Sequence, residues 1–207
     1  MIDWKTVHDV IELLYFLSGI AIAVAAVFAL RQVSLFKEDM EHRSERAAKE
    51  KAMEYTGRFN GAYRILERAT AQALVDASLE IYKGPVSDFT WDSIPPALRD
   101  KSIARSDIPE ALIALNGLEE IAFAFVLGVA DEREGFKVLG KTFCEDVELY
   151  YDVIAESRRT WIYYQPIVEL YGVWSSRLRA TELHTKKHGI EAELSKIGHK
   201  TIKPIGG

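Results

Sequence analysis

Two histidines near the carboxyl end, His184 and His188, have the residue type and spacing that metal binding requires. A separation of four residues places both imidazoles on one face of a helix, where a converging carboxylate would complete a site. Glu182 lies off that face, and no Glu-x-x-His pair faces the two histidines. Because Lys186 and Lys187 flank them, we interpret the stretch as a solvated helix end. The sequence therefore predicts no metal and no other cofactor.

Arg179 and His184 form an R-x4-H pattern on the same predicted helix, and Arg177 lies seven residues before the histidine. The pattern is similar to that of HEPN ribonucleases, and this likeness implies that the arginine positions phosphate while the histidine assists proton transfer. Ala180 follows Arg179, where those enzymes carry asparagine, aspartate or histidine. The likeness makes Arg179 and His184 the candidate catalytic residues, with RNA as a partner. A chance occurrence of the spacing is the alternative.

The remaining polar side chains favour structural roles. Glu119 and Glu120 lie within an apolar helical pattern, and Glu145, Asp146 and Glu148 lie on the next predicted helix. We expect a buried carboxylate among them to pair with an arginine such as Arg158 or Arg159. The single cysteine, Cys144, excludes an internal disulfide and hence a disulfide-stabilised secreted scaffold. The glycines are scattered and form no phosphate-binding loop. The sequence therefore favours a protein that is not an enzyme.

An apolar segment near the amino end predicts a membrane anchor. Residues 13–30 read LLYFLSGIAIAVAAVFAL and carry no formal charge. At about 1.5 Å per residue, a helix of roughly 20 residues crosses a hydrocarbon core of about 30 Å. We predict a transmembrane helix at 9–31, after a short extracytoplasmic segment at 1–8. The acidic residues that precede the segment disfavour a cleaved signal peptide.

Basic residues predict the orientation of this helix. Lys5 alone precedes it, whereas six basic residues follow within about 20 positions. The positive-inside rule then places the carboxyl-terminal domain in the cytoplasm, as a single-pass protein of the bacterial inner membrane with the lipid bilayer as a partner. Rows of small residues, among them Ala21, Ala25 and Ala29, predict a homo-oligomer through close helix packing. The alternative is that alanine merely fills an apolar helix.

The rest of the chain predicts an all-α fold. With 48% apolar and 28% charged residues the chain forms a packed core, and its net charge of -5 argues against a surface that grips nucleic acid throughout. A charge-rich helical stalk at 32–54 continues from the membrane helix and enters a cytoplasmic helical domain at 55–188. A mobile basic tail at 189–207 closes the chain. No segment shows the alternation typical of strands.

Turn signals divide the domain into a small bundle of about four helices. The first helix ends at Gly84-Pro85, and a loop with a short helical turn follows, its Phe89, Trp91 and Ile94 packing against the domain. A central core helix, capped by Ser106 or Asp107, runs to about Val129. Two further helices run from Asp131 to about Arg159 and from about Pro166 onward.

A set of short motifs carries a family resemblance: Asn116-Gly-Leu-Glu119-Glu120-Ile-Ala, Leu127-Gly128-x-x-Asp131, Tyr150-Tyr151-Asp152-x-Ile154, Arg158, Trp161 and Trp174. With these motifs the chain resembles an uncharacterised family of bacterial membrane proteins that have one amino-terminal span, a helical stalk and a small helical domain. The order of span, stalk and helices, together with Arg179 and His184, carries a more distant likeness to the membrane-anchored accessory protein of Cas13b-type CRISPR systems, which is HEPN-like and forms a ring-shaped membrane assembly. This distant likeness implies oligomers and a role in antiviral defence.

Three hypotheses of function follow. The favoured one is a non-enzymatic, membrane-anchored helical protein that oligomerises and acts as an accessory or effector, through membrane perturbation or recruitment of a cytoplasmic protein partner. The alternative is a membrane-tethered HEPN-like ribonuclease that uses Arg179 and His184. A third is a sensor that passes a signal along the stalk.

Overall fold

The computed structural model describes residues 4–197, which contain helices and no strand. The predicted all-α fold is therefore confirmed. A π-helical turn, Phe59–Tyr63, follows the first helix, and two 3-10 turns lie at Trp91–Ser93 and Pro96–Leu98. The α-helices, in chain order, are α1 (Trp4–Arg58), α2 (Arg64–Asp76), α3 (Arg99–Ser106), α4 (Pro109–Val126), α5 (Glu132–Leu149), α6 (Tyr151–Ser157) and α7 (Gln165–Ile197).

The chain divides into two compact units, Met1–Ala47 and Ala48–Gly207. In the first unit, α1 is long and apolar enough to cross a membrane: an 18-residue window has a mean hydropathy of 1.9 and no buried residue. Phe16, Ile22 and Phe28 are among its exposed apolar side chains. An apolar helix with nothing packed on it is unfavourable in water and favourable in lipid, because apolar surface is expelled from water.

The charged part of α1 is a solvated helix face. Two ion pairs at a spacing of four residues line it, Lys37 with Glu41 at 3.8 Å and Asp39 with Arg43 at 2.8 Å, and His42 lies 3.9 Å from Glu38 at the same spacing. Pairs at this spacing support a helix that lacks tertiary contacts, although each contributes only a few tenths of a kcal/mol. The stretch predicted as a helical stalk, 32–54, lies within α1.

The second unit is built around α4, the helix predicted to be central. α4 packs against α2 and α7, and α5 packs against α7, while the short helices α3 and α6 pack against each other. Ala114, Leu115 and Leu118 of α4 are fully buried. Gly135 of α5 permits close packing here, because a Cβ at this position would lie 2.3 Å from the Phe125 ring. Phe89 and Ile94 of the long loop are buried in the same core, as predicted.

The predicted end of α2 at Gly84 is wrong, since the helix ends at Asp76. Ser78 adopts a left-handed backbone with a φ of 56°. The amide of Leu79 donates to Leu74 O at 2.8 Å and the amide of Ser78 donates to Val75 O at 3.0 Å, the two bonds of a Schellman termination. Glycine usually occupies the left-handed position, so serine left no signal in the sequence.

The helix predicted from Asp131 to Arg159 is two helices that meet at Tyr150. Its start is as expected: Asp131 is the N-cap of α5, and its Oδ1 accepts from the amides of Arg133 and Glu134 at 2.9 and 3.1 Å. The break has a packing cause. All six residues from 150 to 155 are buried, whereas an uninterrupted amphipathic helix buries only one face.

The bounds of α3 and α4 also differ from the prediction. The segment Arg99–Ser106 forms a helix of eight residues, and Ser106 and Asp107 end it instead of capping α4. The N-cap of α4 is Ile108, which makes no side-chain capping bond. α4 ends at Val126 instead of Val129, because Gly128 takes a φ of 70° and the amide of Ala130 bonds to Ala124 O at 3.0 Å.

The tail predicted to be mobile from residue 189 is helical as far as the structure describes it. α7 extends to Ile197, and Gly189 lies inside the helix. A single glycine costs a helix about 1 kcal/mol relative to alanine, which is too little to end it. The part of the predicted tail from 198 to 207 lies outside the described residues.

Candidate functional site

The predicted catalytic residues Arg179 and His184 both lie on α7, and both side chains are exposed. A separation of five residues turns about 140° around a helix axis, so the two side chains point to different faces of the helix. Arg177 donates to Glu132 Oε1 at 2.7 Å and is thereby tied to α5. The use of Arg179 and His184 in catalysis stays a prediction.

The two histidines considered for metal binding, His184 and His188, lie side by side on α7. Their ring centroids are 4.4 Å apart, and His188 Nδ1 lies 3.4 Å from Glu191 Oε2. Within residues 4–197, no three His, Cys, Asp or Glu side chains converge in a way that would hold a metal ion. The flanking positions are exposed, as the solvated helix end requires.

The predicted arginine partners of Glu119 and Glu120 are wrong. Glu120 pairs with Arg58 at 2.5 Å, and burial raises the pKa of the half-buried Glu119. Arg159 pairs instead with Glu156 at 3.3 Å, while Arg158 binds the loop that follows α6. Surface arginines next to each other in sequence gave no indication of which carboxylate each would meet.

A buried ion pair that the sequence did not indicate joins α3 to α6. Asp152 is fully buried, and its Oδ2 accepts from Nη2 of Arg105, which is itself buried. Arg105 Nη1 also donates to Glu80 O at 2.8 Å, and its guanidinium lies 5.5 Å from the centre of the Tyr82 ring. Burial raises the pKa of Asp152, and the guanidinium opposes that rise. The pair fixes the long loop to the core.

A second buried carboxylate, Asp146 of α5, faces Arg64 of α2. Arg64 Nη1 lies 3.2 Å from Asp146 Oδ1 and 2.5 Å from Glu67 Oε2. Burial raises the pKa of Asp146 to about 6, and Arg64 opposes the rise. Both buried pairs link helices of the core, which is a structural use of charge.

Asp146 makes the stability of the domain depend on pH. Its ordinary pKa is 3.8 and its folded pKa is about 6, so the folded chain binds this proton more tightly than the unfolded chain does. The resulting stabilisation is complete below about pH 4 and is lost as the pH rises through 6. The difference between the two pKa values corresponds to about 3 kcal/mol.

We therefore expect the Asp146→Asn variant to lose this dependence. Asparagine keeps an oxygen facing Arg64 but does not titrate between pH 4 and 8. The free energy of unfolding should be measured by urea titration of the full chain in mild detergent at pH 4.5 and pH 7.5. The native chain should lose about 2 kcal/mol more than the variant over this interval, because part of the stabilisation is already lost at pH 4.5. Parallel pH profiles of the two chains would contradict the assignment.

The loop between α6 and α7 presents apolar side chains to solvent. We call residues 158–164 the aromatic loop, because Trp161, Ile162 and Tyr163 are 70%, 66% and 52% exposed. Its shape is fixed from within: Arg158 Nη1 donates to Tyr163 O at 2.8 Å, and the Tyr163 amide donates to Trp161 O at 2.9 Å. Tyr164 adopts a φ of 57°, which is uncommon for a residue with a Cβ.

Arg159 of the aromatic loop and Arg99 of α3 stack on the same tryptophan, Trp91. Arg159 lies 4.6 Å from the centre of the half-buried Trp91 ring, and Arg99 lies 5.3 Å from the same ring. Tryptophan, tyrosine and arginine are the residues that most often dominate the energy of protein interfaces. The sequence pointed to Trp161 only through the family resemblance, and to Arg158 through that resemblance and as a partner for a carboxylate. The run RRTWIYYQP, with apolar residues between turn-forming ends, is the signal that would have found the surface.

The described part of the domain has a small cleft between helices and a more open groove of about 340 Å³ beside Tyr82 and Glu148. A largely apolar cleft lined by Thr70, Leu74, Arg105, Ala111 and Tyr150 has a volume of about 60 Å³. Pockets for drug-sized ligands are several hundred Å³. The cleft is therefore a packing feature between helices.

Comparisons with protein-family models, with curated proteins and with solved structures find no match for this chain.

Proposed function

We propose that this chain is a single-pass protein of the bacterial inner membrane, with its amino terminus outside and its helical domain in the cytoplasm. The observation that carries the proposal is the apolar window of α1, which has a mean hydropathy of 1.9 and no residue buried in the described structure. The asymmetry of basic residues around this window supports the orientation. A helix of this kind is stable where lipid replaces the missing protein contacts.

Within this setting the protein acts as a non-enzymatic accessory or effector that self-associates and recruits a cytoplasmic partner. Two observations support this role. The buried charges of the domain are paired across helices, which is a structural use. The aromatic loop, in contrast, holds three apolar side chains in solvent by internal hydrogen bonds. A rigid, exposed apolar surface is typical of a docking site, because little conformational entropy is lost on binding.

Site-specific labelling tests the orientation. In a Cys144→Ala background, which removes the buried native thiol, single cysteines are placed at Thr6 and at the exposed Ser195. A membrane-impermeant maleimide added to intact spheroplasts should label the Thr6→Cys chain and leave the Ser195→Cys chain unlabelled until lysis. The opposite pattern would contradict the orientation.

Photo-crosslinking tests recruitment through the aromatic loop. A photoreactive amino acid at position 161 should give a discrete crosslinked product in cells, because Trp161 is more exposed than Ile162 and Tyr163. The matched control is Val138, which is 61% exposed but belongs to α5 and not to the loop. The recruitment role would fail if positions 161 and 138 gave the same products.

The ribonuclease alternative rests on the exposure of Arg179 and His184, which leaves both accessible to a polymer. Under the favoured account, the native chain and the variants Arg179→Ala and His184→Ala all leave the same amount of RNA intact. Incubation of labelled RNA with the purified full chain and both variants makes the comparison. A loss of RNA cleavage in both variants would replace the favoured account with the ribonuclease.

Antiviral defence is the biological setting that the resemblance to CRISPR accessory proteins adds to this proposal. Phage plating on cells with and without the gene tests it. Equal plating in both strains would remove defence as the setting and leave the membrane-anchored module in place.

A further inference from the structure

The carboxyl-terminal half of α7 extends without tertiary packing. Leu170 and Trp174 are buried in the core, whereas every residue from Arg179 to Lys196 is exposed. Isolated helices shorter than about 12 to 15 residues are marginal in water, and even somewhat longer ones rely on packing of an apolar face. A stretch of this kind is therefore stabilised when a partner covers one face.

A heptad pattern defines which face that is. Leu183, Ile190 and Leu194 follow one another at steps of seven and four residues and are 66%, 58% and 60% exposed. Assigning Leu183 and Ile190 to position d places Leu194 at position a. Closer to the amino end of α7, Val173 and Ala180 also occupy position a. Apolar residues at a and d form the seam of a coiled coil.

The charges beside this seam suit a second, parallel copy of the same helix. In the same register Lys186 falls at position g and Glu191 at position e of the next heptad. In a parallel two-stranded coiled coil, position g of one helix faces that position e of the other, so Lys186 and Glu191 pair twice by symmetry. Lys187 falls at position a and lies 3.8 Å from Glu191 of its own chain. A single lysine at position a fixes the register of a coiled coil and lowers the stability of that coiled coil.

We propose that residues 173–196 of α7 form a parallel, in-register coiled coil with the same segment of a second copy of this chain. The inference rests on the proposed function. Two copies that are anchored by α1 in the same bilayer have the same orientation relative to that bilayer, and this favours a parallel pair. Fewer than four heptads make a weak coiled coil in solution. Confinement to a membrane raises the effective concentration of the second copy and makes the contact effective.

Disulfide trapping in isolated membranes tests the contact. Single cysteines are placed at Leu183 and, separately, at Ile190 in the Cys144→Ala chain, and copper phenanthroline is the oxidant. Side chains at equivalent d positions of a parallel pair meet closely enough for a disulfide. Both variants should give dimers, whereas the matched control Thr185→Cys, an exposed position f on the far side of α7, should give little.

The pattern of dimers separates the possible outcomes. In an antiparallel pair, at most one seam residue can lie next to the same residue of the second chain. Dimers from only one of the two cysteine variants would therefore indicate an antiparallel pair and overturn the proposal. Equal trapping at positions 183, 185 and 190 would show random collision and would also overturn it. Membrane fractionation of the same samples separates this failure from that of the proposed function: a membrane-bound chain without specific dimers refutes only the coiled coil.

Charge reversal gives a second measurement that does not depend on cysteine reactivity at the seam. Lys186→Glu should lower disulfide trapping at position 190 by about three- to tenfold, because two attractive pairs become repulsive. The double variant Lys186→Glu with Glu191→Lys restores opposite charges and should recover most of the trapping. Failure of the double variant to recover, with α7 still helical by circular dichroism, would contradict the parallel register.

Discussion

Arg105→Ala is expected to destabilise the cytoplasmic domain by about 3 to 5 kcal/mol, because it leaves the fully buried Asp152 without its counter-ion. The substitution also removes the hydrogen bond from Arg105 to Glu80 O, which fixes the long loop before α3. Urea unfolding of the full chain in mild detergent, followed by circular dichroism, measures the loss.

Two further variants make this prediction specific. Arg159→Ala removes an arginine that is exposed and pairs with Glu156 at 3.3 Å, so we expect a loss of only about 0 to 1 kcal/mol. The double variant Arg105→Met with Asp152→Leu replaces both charges by apolar groups and should recover most of the stability lost by Arg105→Ala. A loss below about 1 kcal/mol in Arg105→Ala would show that water reaches Asp152.

Trp174→Ala, made on its own, is expected to lower the free energy of unfolding by about 3 to 5 kcal/mol, because it leaves a cavity in the core. Trp174 is fully buried, and its ring lies 5.1 to 5.9 Å from the rings of Phe143, Phe125 and Phe136. Its indole Nε1 also donates to Glu132 Oε1 at 2.5 Å, so the side chain ties α7 to the start of α5. The same urea titration measures the loss.

Trp161→Ala is the matched control, since it deletes the same side chain from an exposed position. We expect a change within about 0.5 kcal/mol for this variant. Equal losses for Trp161→Ala and Trp174→Ala would contradict the placement of α7 against α4 and α5. The control also shows whether the aromatic loop is dispensable for folding, as a docking surface should be.

The sequence was sufficient to predict the elements that depend on local pattern. The uncharged run at 13–30 predicted the apolar helix, and the continuous apolar content of α4 predicted its burial. The predicted start of α5 at Asp131 is confirmed, and its carboxylate caps amides only two and three residues further on. In each case the interactions that determine the element lie within one or two helical turns of the residues from which it was predicted.

What the sequence could not predict depends on contacts between distant residues. Arg105 and Asp152 are 47 positions apart, and no local pattern pairs them. The break at Tyr150 follows from burial on several sides at once, and the end of α2 follows from a serine in a left-handed conformation. The aromatic loop is a surface only because α6 and α7 bring its ends together and Arg158 binds across it.

The most direct test of the central claim is whether the intact chain stays in the membrane. Cells that express the full chain are lysed without detergent, and the membranes are washed with alkaline carbonate and with urea. We predict that the chain remains in the membrane pellet after both washes and is released by detergent, while a chain with Ile22, Val24 and Ala26 replaced by arginine is released. Recovery of the intact native chain in the supernatant without detergent would contradict the account.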